Sequence, residues 1–184
     1  MSTPKVPLLG YAILGLLHQK ESSGYELRKF FANSPMGAFS DSPGSIYPAL
    51  QRLETQGLVR AKIEEASGLR RRRMFRPSSE GRAEFKRWLC TPVTQDAVIR
   101  HMPELLLRFA FLGEVLGTAS TLEFLKQLAV ELRSFIPGLR EHLEASKKEM
   151  SLSGRLALEN GIRVYESNLQ WAIAAIKTYE QEVK

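Results

Sequence analysis

Apolar residues recur at helical spacing over residues 6–19, where Leu9, Ile13, Leu16 and Leu17 mark one buried stripe and predict a first helix. The segment Glu21-Ser22-Ser23-Gly24 interrupts the pattern. Ser23 followed by Glu26 has the spacing of a capping box, in which each side chain satisfies a free backbone N–H at a helix start. A second helix then runs through Tyr25, Leu27, Phe30 and Phe31 to about Asn33, and residues 34–41, with Pro35 and Gly37, read as loop. Ser42-Pro43, a capping serine with proline at the first helical position, predicts the start of a third helix. Its inward face is Ile46, Leu50 and Leu53, and Gly57 ends it. Residues 58–65 alternate as a strand, Ser67-Gly68 makes a turn, and residues 71–76 return as a second strand. Ser78-Ser79 caps a fourth helix over residues 80–90. Three helices, a two-stranded hairpin and a closing helix are the order of a winged helix-turn-helix.

Residues 91–96, with Pro92, read as a linker, and the chain beyond is helical. Leu105, Phe109, Leu112 and Leu116 form one stripe, and Ser120 with Glu123 offers a second capping box. Leu125, Leu128, Leu132, Phe135, Leu139 and Leu143 then step like a heptad seam, which Pro137 is expected to kink. A last helix carries Ile162, Tyr165, Leu169, Ile173, Ile176 and Val183 on a similar stripe. Such helices must pair with each other or with a second copy of the chain, and the stripes leave both open. The expected fold class is mainly α: an N-terminal winged helix-turn-helix over residues 1–90 and an all-helical dimerisation domain over residues 97–184.

Charge sharpens this division. Residues 1–90 hold 15 Lys/Arg against 8 Asp/Glu, whereas residues 91–184 hold 11 against 12, so the whole net charge of +6 originates in the first half. A basic unit joined to a neutral one suits nucleic-acid binding, though a solvated basic face reads the same way. Cys90, the one cysteine, excludes an internal disulfide framework and suits a reducing cytoplasm; beside Trp88 and Leu89 it reads as an inert, half-buried thiol. No uninterrupted run of eighteen apolar residues occurs, and residues 8–17 lack a small-residue cleavage site, so neither a membrane span nor a signal peptide is expected. His18, His101 and His142 show no metal-ligand spacing, and no phosphate-binding glycine loop or nucleophile elbow is present, which argues against an enzyme, a metal site and a cofactor.

The third helix and the hairpin carry the candidate chemistry. Ser45, Tyr47, Pro48, Gln51 and Arg52 form the polar face of the helix. Gln and Arg can pair bidentately with base edges, and Ser and Tyr hydroxyls donate to phosphate oxygens. Arg70, Arg71, Arg72 and Arg73 follow the turn directly, opposite Lys62 and Arg60. Like charges crowded on a small hairpin repel each other, but along a phosphate backbone they release counterions.

The run Gly44-Ser45-Ile46-Tyr47-Pro48-Ala49-Leu50-Gln51-Arg52-Leu53-Glu54, continued by Gln56-Gly57-Leu58-Val59, resembles the signature of the PadR family of transcription regulators. Ile13-Leu14-Gly15-Leu16-Leu17 and Ser23-Gly24-Tyr25-Glu26-Leu27 are similar to that family's first two helices, so the likeness spans residues 7–90. It implies a dimeric, cytoplasmic winged-helix protein that represses transcription by binding a palindromic operator in double-stranded DNA. Family contacts would fall on Ser45, Tyr47, Pro48 and Gln51 and on the basic wing at Arg71, Arg72 and Arg73, with Tyr25 and Arg52 beside them. Phe75 and Pro77-Ser78 depart from the tyrosine and Leu-Thr common in relatives. The second half, from Glu104 to Leu112, is similar to the longer subfamily, whose helical part makes the dimer and in some members part of a ligand site. Its residues His101, Met102, Arg108, Phe109, Tyr165 and Trp171 read first as core and interface, and second as a pocket for a small aromatic or phenolic effector. Trp88 reads as the joint between domains. The alternative to an operator-binding regulator is a helical interaction module whose basic wing binds an acidic protein.

Overall fold

The computed structural model of the chain describes residues 6–40, 44–65 and 71–182 and divides into two compact units, Met1–Cys90 and Thr91–Lys184. In the first unit the order is α1 (Leu8–Gln19), β1 (Ser22–Ser23), α2 (Gly24–Ala32), a 3-10 turn (Pro35–Phe39), α3 (Ile46–Thr55), β2 (Val59–Glu65), β3 (Arg71–Pro77) and α4 (Ser79–Leu89). α1 is apolar on more than one face because it lies inside the unit, with Tyr11, Ala12, Ile13, Leu14 and Leu17 all buried. The Tyr11 ring stacks on Trp88 at 4.4 Å, and Phe85 packs beside Trp88. Trp88, read from the sequence as a joint between domains, packs within the first unit on Tyr11 and Phe85. Cys90, expected half-buried, is exposed.

The capping box forms: the Ser23 hydroxyl accepts from the Glu26 N–H, and the Glu26 carboxylate accepts from the Ser23 N–H at 2.8 Å. The segment read as loop contains the 3-10 turn, with Pro35 at its start. α3 begins at Ile46; Ser42 and Pro43, expected to cap it, lie outside the described residues, as does the Ser67-Gly68 turn. Gly57 ends α3 in the left-handed region, at φ +72°, as its place after the last apolar position predicts. Ser78 then ties three elements together. Its hydroxyl donates to the Gly57 carbonyl at 2.6 Å and accepts from the Gly81 N–H at 2.9 Å, capping α4. Gly81 is required here because a Cβ on it would sit 1.9 Å from the Leu58 carbonyl oxygen. The sheet has three antiparallel strands in the order β1-β3-β2, where the sequence predicts two. β1 is only two residues long, too short to show alternation, and pairs Ser22 with Phe75 and Ser23 with Met74.

In the second unit α5 (Gln95–Arg100) occupies part of the expected linker, capped by the Thr94 hydroxyl, and is followed by α6 (Met102–Ser146) and α7 (Leu152–Glu182). α6 is not one rod. Gly117, at φ 78° and ψ 175°, breaks it in a backbone region that essentially only glycine occupies. The arms 102–116 and 118–146 fold onto each other there, so the Arg108 guanidinium lies 5.1 Å from the Phe124 ring centre. In a straight helix those two positions would be about 24 Å apart. The second arm starts after Gly117 rather than at the capping box expected from Ser120 and Glu123, and the buried Thr121 hydroxyl donates back to the Gly117 carbonyl at 3.0 Å. Pro137 sits inside the second arm, and Gly117 alone in α6 departs from helical dihedrals. Packing on two sides explains why Leu107, Arg108 and Phe111 are buried along with Leu105 and Leu112, while Phe109 and Leu116 are only half-buried. α6 and α7 pair within the chain and antiparallel, joined by Arg140 with Glu166, Lys126 with Glu180 at 3.7 Å, and the edge-to-face rings of Phe135 and Tyr165. α6 is long and apolar enough to cross a membrane by length and composition alone, and Gly117 breaks it. Val183 lies outside the described residues.

Candidate nucleic-acid interface

α3 has a sharply divided surface. Ile46, Ala49, Leu50 and Leu53 are buried, and the remaining face presents Tyr47, Pro48, Gln51 and Arg52, all exposed. Tyr47 is 51 % exposed although one edge of its ring rests on Gly24 of α2. Tyr25, at the first turn of α2, is 58 % exposed and carries the Arg28 guanidinium over its ring at 5.5 Å. Arg28 was not singled out from the sequence, because a lone basic residue on a polar helix face gives no signal. Its guanidinium lies over the exposed Tyr25 ring and adds a cation to the start of α2. Ser45 is less available than its position suggests: its hydroxyl is within 2.7 Å of the Ser40 hydroxyl.

The strand pair sorts its basic residues by face. β2 and β3 pair Glu64 with Arg72, Ile63 with Arg73, Lys62 with Met74 and Arg60 with Arg76. Side chains alternate across a strand, so Arg72 and Arg73 cannot face the same way. Arg73 lies on the side of the buried Phe75, stacks on that ring at 5.1 Å, and donates from one nitrogen to both Glu54 carboxylate oxygens at 2.6 Å. It thus pins the wing onto the end of α3, so this arginine of the run has a folding role. Arg76 is within 3.6 Å of Glu21 and Lys62 within 3.7 Å of Glu64. Arg72 is exposed and lies near enough to Glu26 to help hold its carboxyl below the usual range, after the stronger pull of the Ser23 backbone and hydroxyl hydrogen bonds. Glu80 is likewise lowered, by its own backbone N–H and by the Ser79 and Ser78 hydroxyls, with Arg60 adding a smaller electrostatic pull. Arg70 lies outside the described residues, and for Arg71 only the backbone pairing with Glu65 is defined.

The residues read as effector candidates are divided by the fold of the second unit. Phe109 meets Trp171 edge to face at 4.9 Å, and Tyr179 approaches the same ring at 6.4 Å. Tyr165 instead packs on Phe135 and points its hydroxyl at the Ile99 carbonyl, 3.5 Å away. Arg108 is 3 % exposed, donates to the Thr91 carbonyl and stacks on Phe124, so its charge serves the join between the arms of α6. His101 is exposed at the end of α5, and Met102 is half-buried beside it. A groove of about 450 Å³ between α6 and α7 is lined by Arg133, Ile136, Pro137, Arg140, Glu166 and Leu169, none of them among the candidates. Among the described residues no group of His, Cys, Asp or Glu is arranged to hold a metal ion.

Comparison with known proteins divides the chain in the same way. Residues 13–87 match the transcriptional regulator PadR-like family, and residues 103–180 match the virulence activator alpha C-terminal family. The chain is 28 % identical over 181 residues to the probable transcriptional regulator Rv1176c of Mycobacterium tuberculosis, with 89 % of this chain and 93 % of that protein covered. It is 28 % identical over 155 residues to the negative transcriptional regulator PadR of Bacillus subtilis, covering 79 % of this chain and 80 % of the relative. Crystal structures of B. subtilis PadR with operator DNA and with p-coumaric acid superpose with TM-scores of 0.43 and 0.41, at 22 % and 21 % identity. Each covers 94 % of this chain and 99 % of the other.

Proposed function

We propose, from the premise that this chain belongs to the PadR-like family of transcriptional regulators, which are not enzymes, that it represses its target by holding two copies of α3 in successive major grooves of an operator. The observation that carries this reading is the α3 face itself: Tyr47, Pro48, Gln51 and Arg52 stand exposed above a fully apolar underside, on a helix packed against α1 and α2. An α-helix fits the major groove, and an amide and a guanidinium on one face can read base edges. Arg72 and Lys62 lie along flanking backbone, Tyr25 and Arg28 meet phosphate beside the groove, and Arg73 sets the angle of the wing rather than contacting DNA. The helical unit joins the two copies, so that operator half-sites fall about 34–36 Å apart.

The test is to select duplexes from a random pool with the full chain and to compare Gln51→Ala on the enriched sequence. Wild type is expected to enrich a palindrome with half-sites about one helical turn apart. Gln51→Ala should bind it less tightly while losing little on scrambled duplex. Enrichment of no sequence by the wild type would overturn the reading in favour of an acidic protein partner. For a small phenolic effector, p-coumaric acid is the first probe, with quenching of Trp171 fluorescence, referenced to Trp171→Phe, as the readout; unchanged fluorescence would remove that ligand.

A further inference from the structure

Gly24 opens α2, directly after the capping Ser23, and its backbone has no need of glycine: positive φ occurs only at Gly57 and Gly117 among the described residues. Glycine disfavours a helix relative to alanine, so its presence calls for a steric reason. That reason is on the neighbouring helix. A Cβ built on Gly24 would lie 2.6 Å from Tyr47 Cε1 and 3.1 Å from Tyr47 Cδ1, with Leu50 Cδ1 at 3.3 Å. These are the three nearest atoms outside α2's own neighbouring backbone and the adjoining residues, and none of them is a backbone atom. All three belong to side chains of α3, and the closest two belong to one ring. Tyr47 is 51 % exposed, so that ring has open space to swing into.

We propose that Gly24 is a positioning residue that seats the Tyr47 ring against α2 and thereby aims its hydroxyl at the nucleic acid, so that a methyl group at position 24 turns the ring away without unfolding the domain. The inference rests on α3 being the groove-reading helix. A tyrosine ring on a solvent-facing helix surface normally samples several rotamers. Lodged against the bare Cα of Gly24, one rotamer is favoured before DNA arrives, and less freedom is lost on binding. Through Gly24 the start of α2 is a support for the reading helix as well as its packing partner.

Gly24→Ala, Tyr47→Ala and the double variant of the full chain, assayed on the duplex enriched by wild type, decide the matter. Melting temperature is recorded for each, and 3-fluorotyrosine labelling reads the ring, with the Tyr47 resonance assigned by its loss in Tyr47→Phe. Gly24→Ala is expected to melt no lower than wild type, to move the Tyr47 fluorine resonance, and to weaken binding on the order of tenfold, the worth of one charge-assisted hydrogen bond. The double variant should bind no more weakly than Tyr47→Ala alone. Gly24→Ala binding within twofold of wild type while Tyr47→Ala loses tenfold would overturn the role of Gly24 and leave the reading helix intact. Losses that multiply in the double variant would also overturn it, since Gly24 would then act by another route. Wild-type binding by Tyr47→Ala would remove the tyrosine contact itself and the inference with it.

Discussion

Arg72 and Arg73 are neighbours in sequence with opposite duties. Arg73 is spent on Glu54 and Phe75, whereas Arg72 is exposed on the other side of β3. Arg72→Ala should therefore weaken operator and random duplex alike and lower the slope of log affinity against log salt by about 1, the share of one phosphate. Arg73→Ala should leave that slope unchanged and cost stability instead, about 0.5–1 kcal/mol for a partly exposed ion pair, seen as a lower denaturation midpoint. The reverse pattern in salt titrations would show that the faces have been misassigned. Glu26 offers a second test at this scale. Its folded pKa lies below the ordinary carboxylate value of 4.5, so its contribution is complete above that value and is lost as pH falls through the lowered one. The stability gap between wild type and Glu26→Ala, about 1 kcal/mol for a helix cap, should be steady near neutral pH and shrink as pH falls below 4.5. A gap that widened in acid would contradict the capping box.

Elements are shaped here by two glycines at positive φ and by short side-chain ties between segments. Gly57 lets the chain leave α3 and turn into β2, and Ser78 then fastens that corner to α4. Gly117 has the larger effect, since the fold of the second unit depends on α6 doubling back. Alanine at this dihedral pair costs about 1–3 kcal/mol, and the alternative open to the chain is to continue the helix straight. That would carry Phe124 away from Arg108, leaving a guanidinium that is now buried without the ring that covers it. Gly117→Ala is expected to lower the melting temperature of the second unit and raise its susceptibility to proteolysis near residue 117, with the first unit's melting unchanged. An unaltered melting curve would mean that the reversal does not depend on glycine. The sequence flagged Pro137 as the breaking point, but a proline inside a helix removes one hydrogen bond, whereas the dihedrals of Gly117 redirect the backbone.

At the scale of the whole molecule, α7 is incompletely covered. Over its 31 residues only Ile162 and Ala172 are fully buried, while Leu152, Leu156 and Val164 are exposed, as is Val130 on α6. A helix with this much bare apolar surface fits association with a second copy, which would cover it with a matching stripe. Leu156→Glu with Val164→Glu should shift the protein from dimer to monomer in sedimentation at micromolar concentration. The same change should weaken binding to a full palindrome far more than to a half-site. If the wild type sediments as a monomer, or the doubly charged variant remains a dimer, these residues do not form the joint.

The sequence alone determined the winged-helix order, the buried face of α3, the Ser23–Glu26 and Ser78 caps and the basic first half. Each is written in local spacing, and local spacing is what backbone periodicity reads. Of the stripe expected on α1, by contrast, only Ile13 and Leu17 are fully buried, and Leu9 and Leu16 are half-buried. Tertiary structure decided which arginine faces Glu54, where the long helix reverses, that α6 and α7 pair within one chain, and that a two-residue strand completes the sheet. Those outcomes depend on contacts between residues distant along the chain, whose geometry no window of neighbouring positions contains.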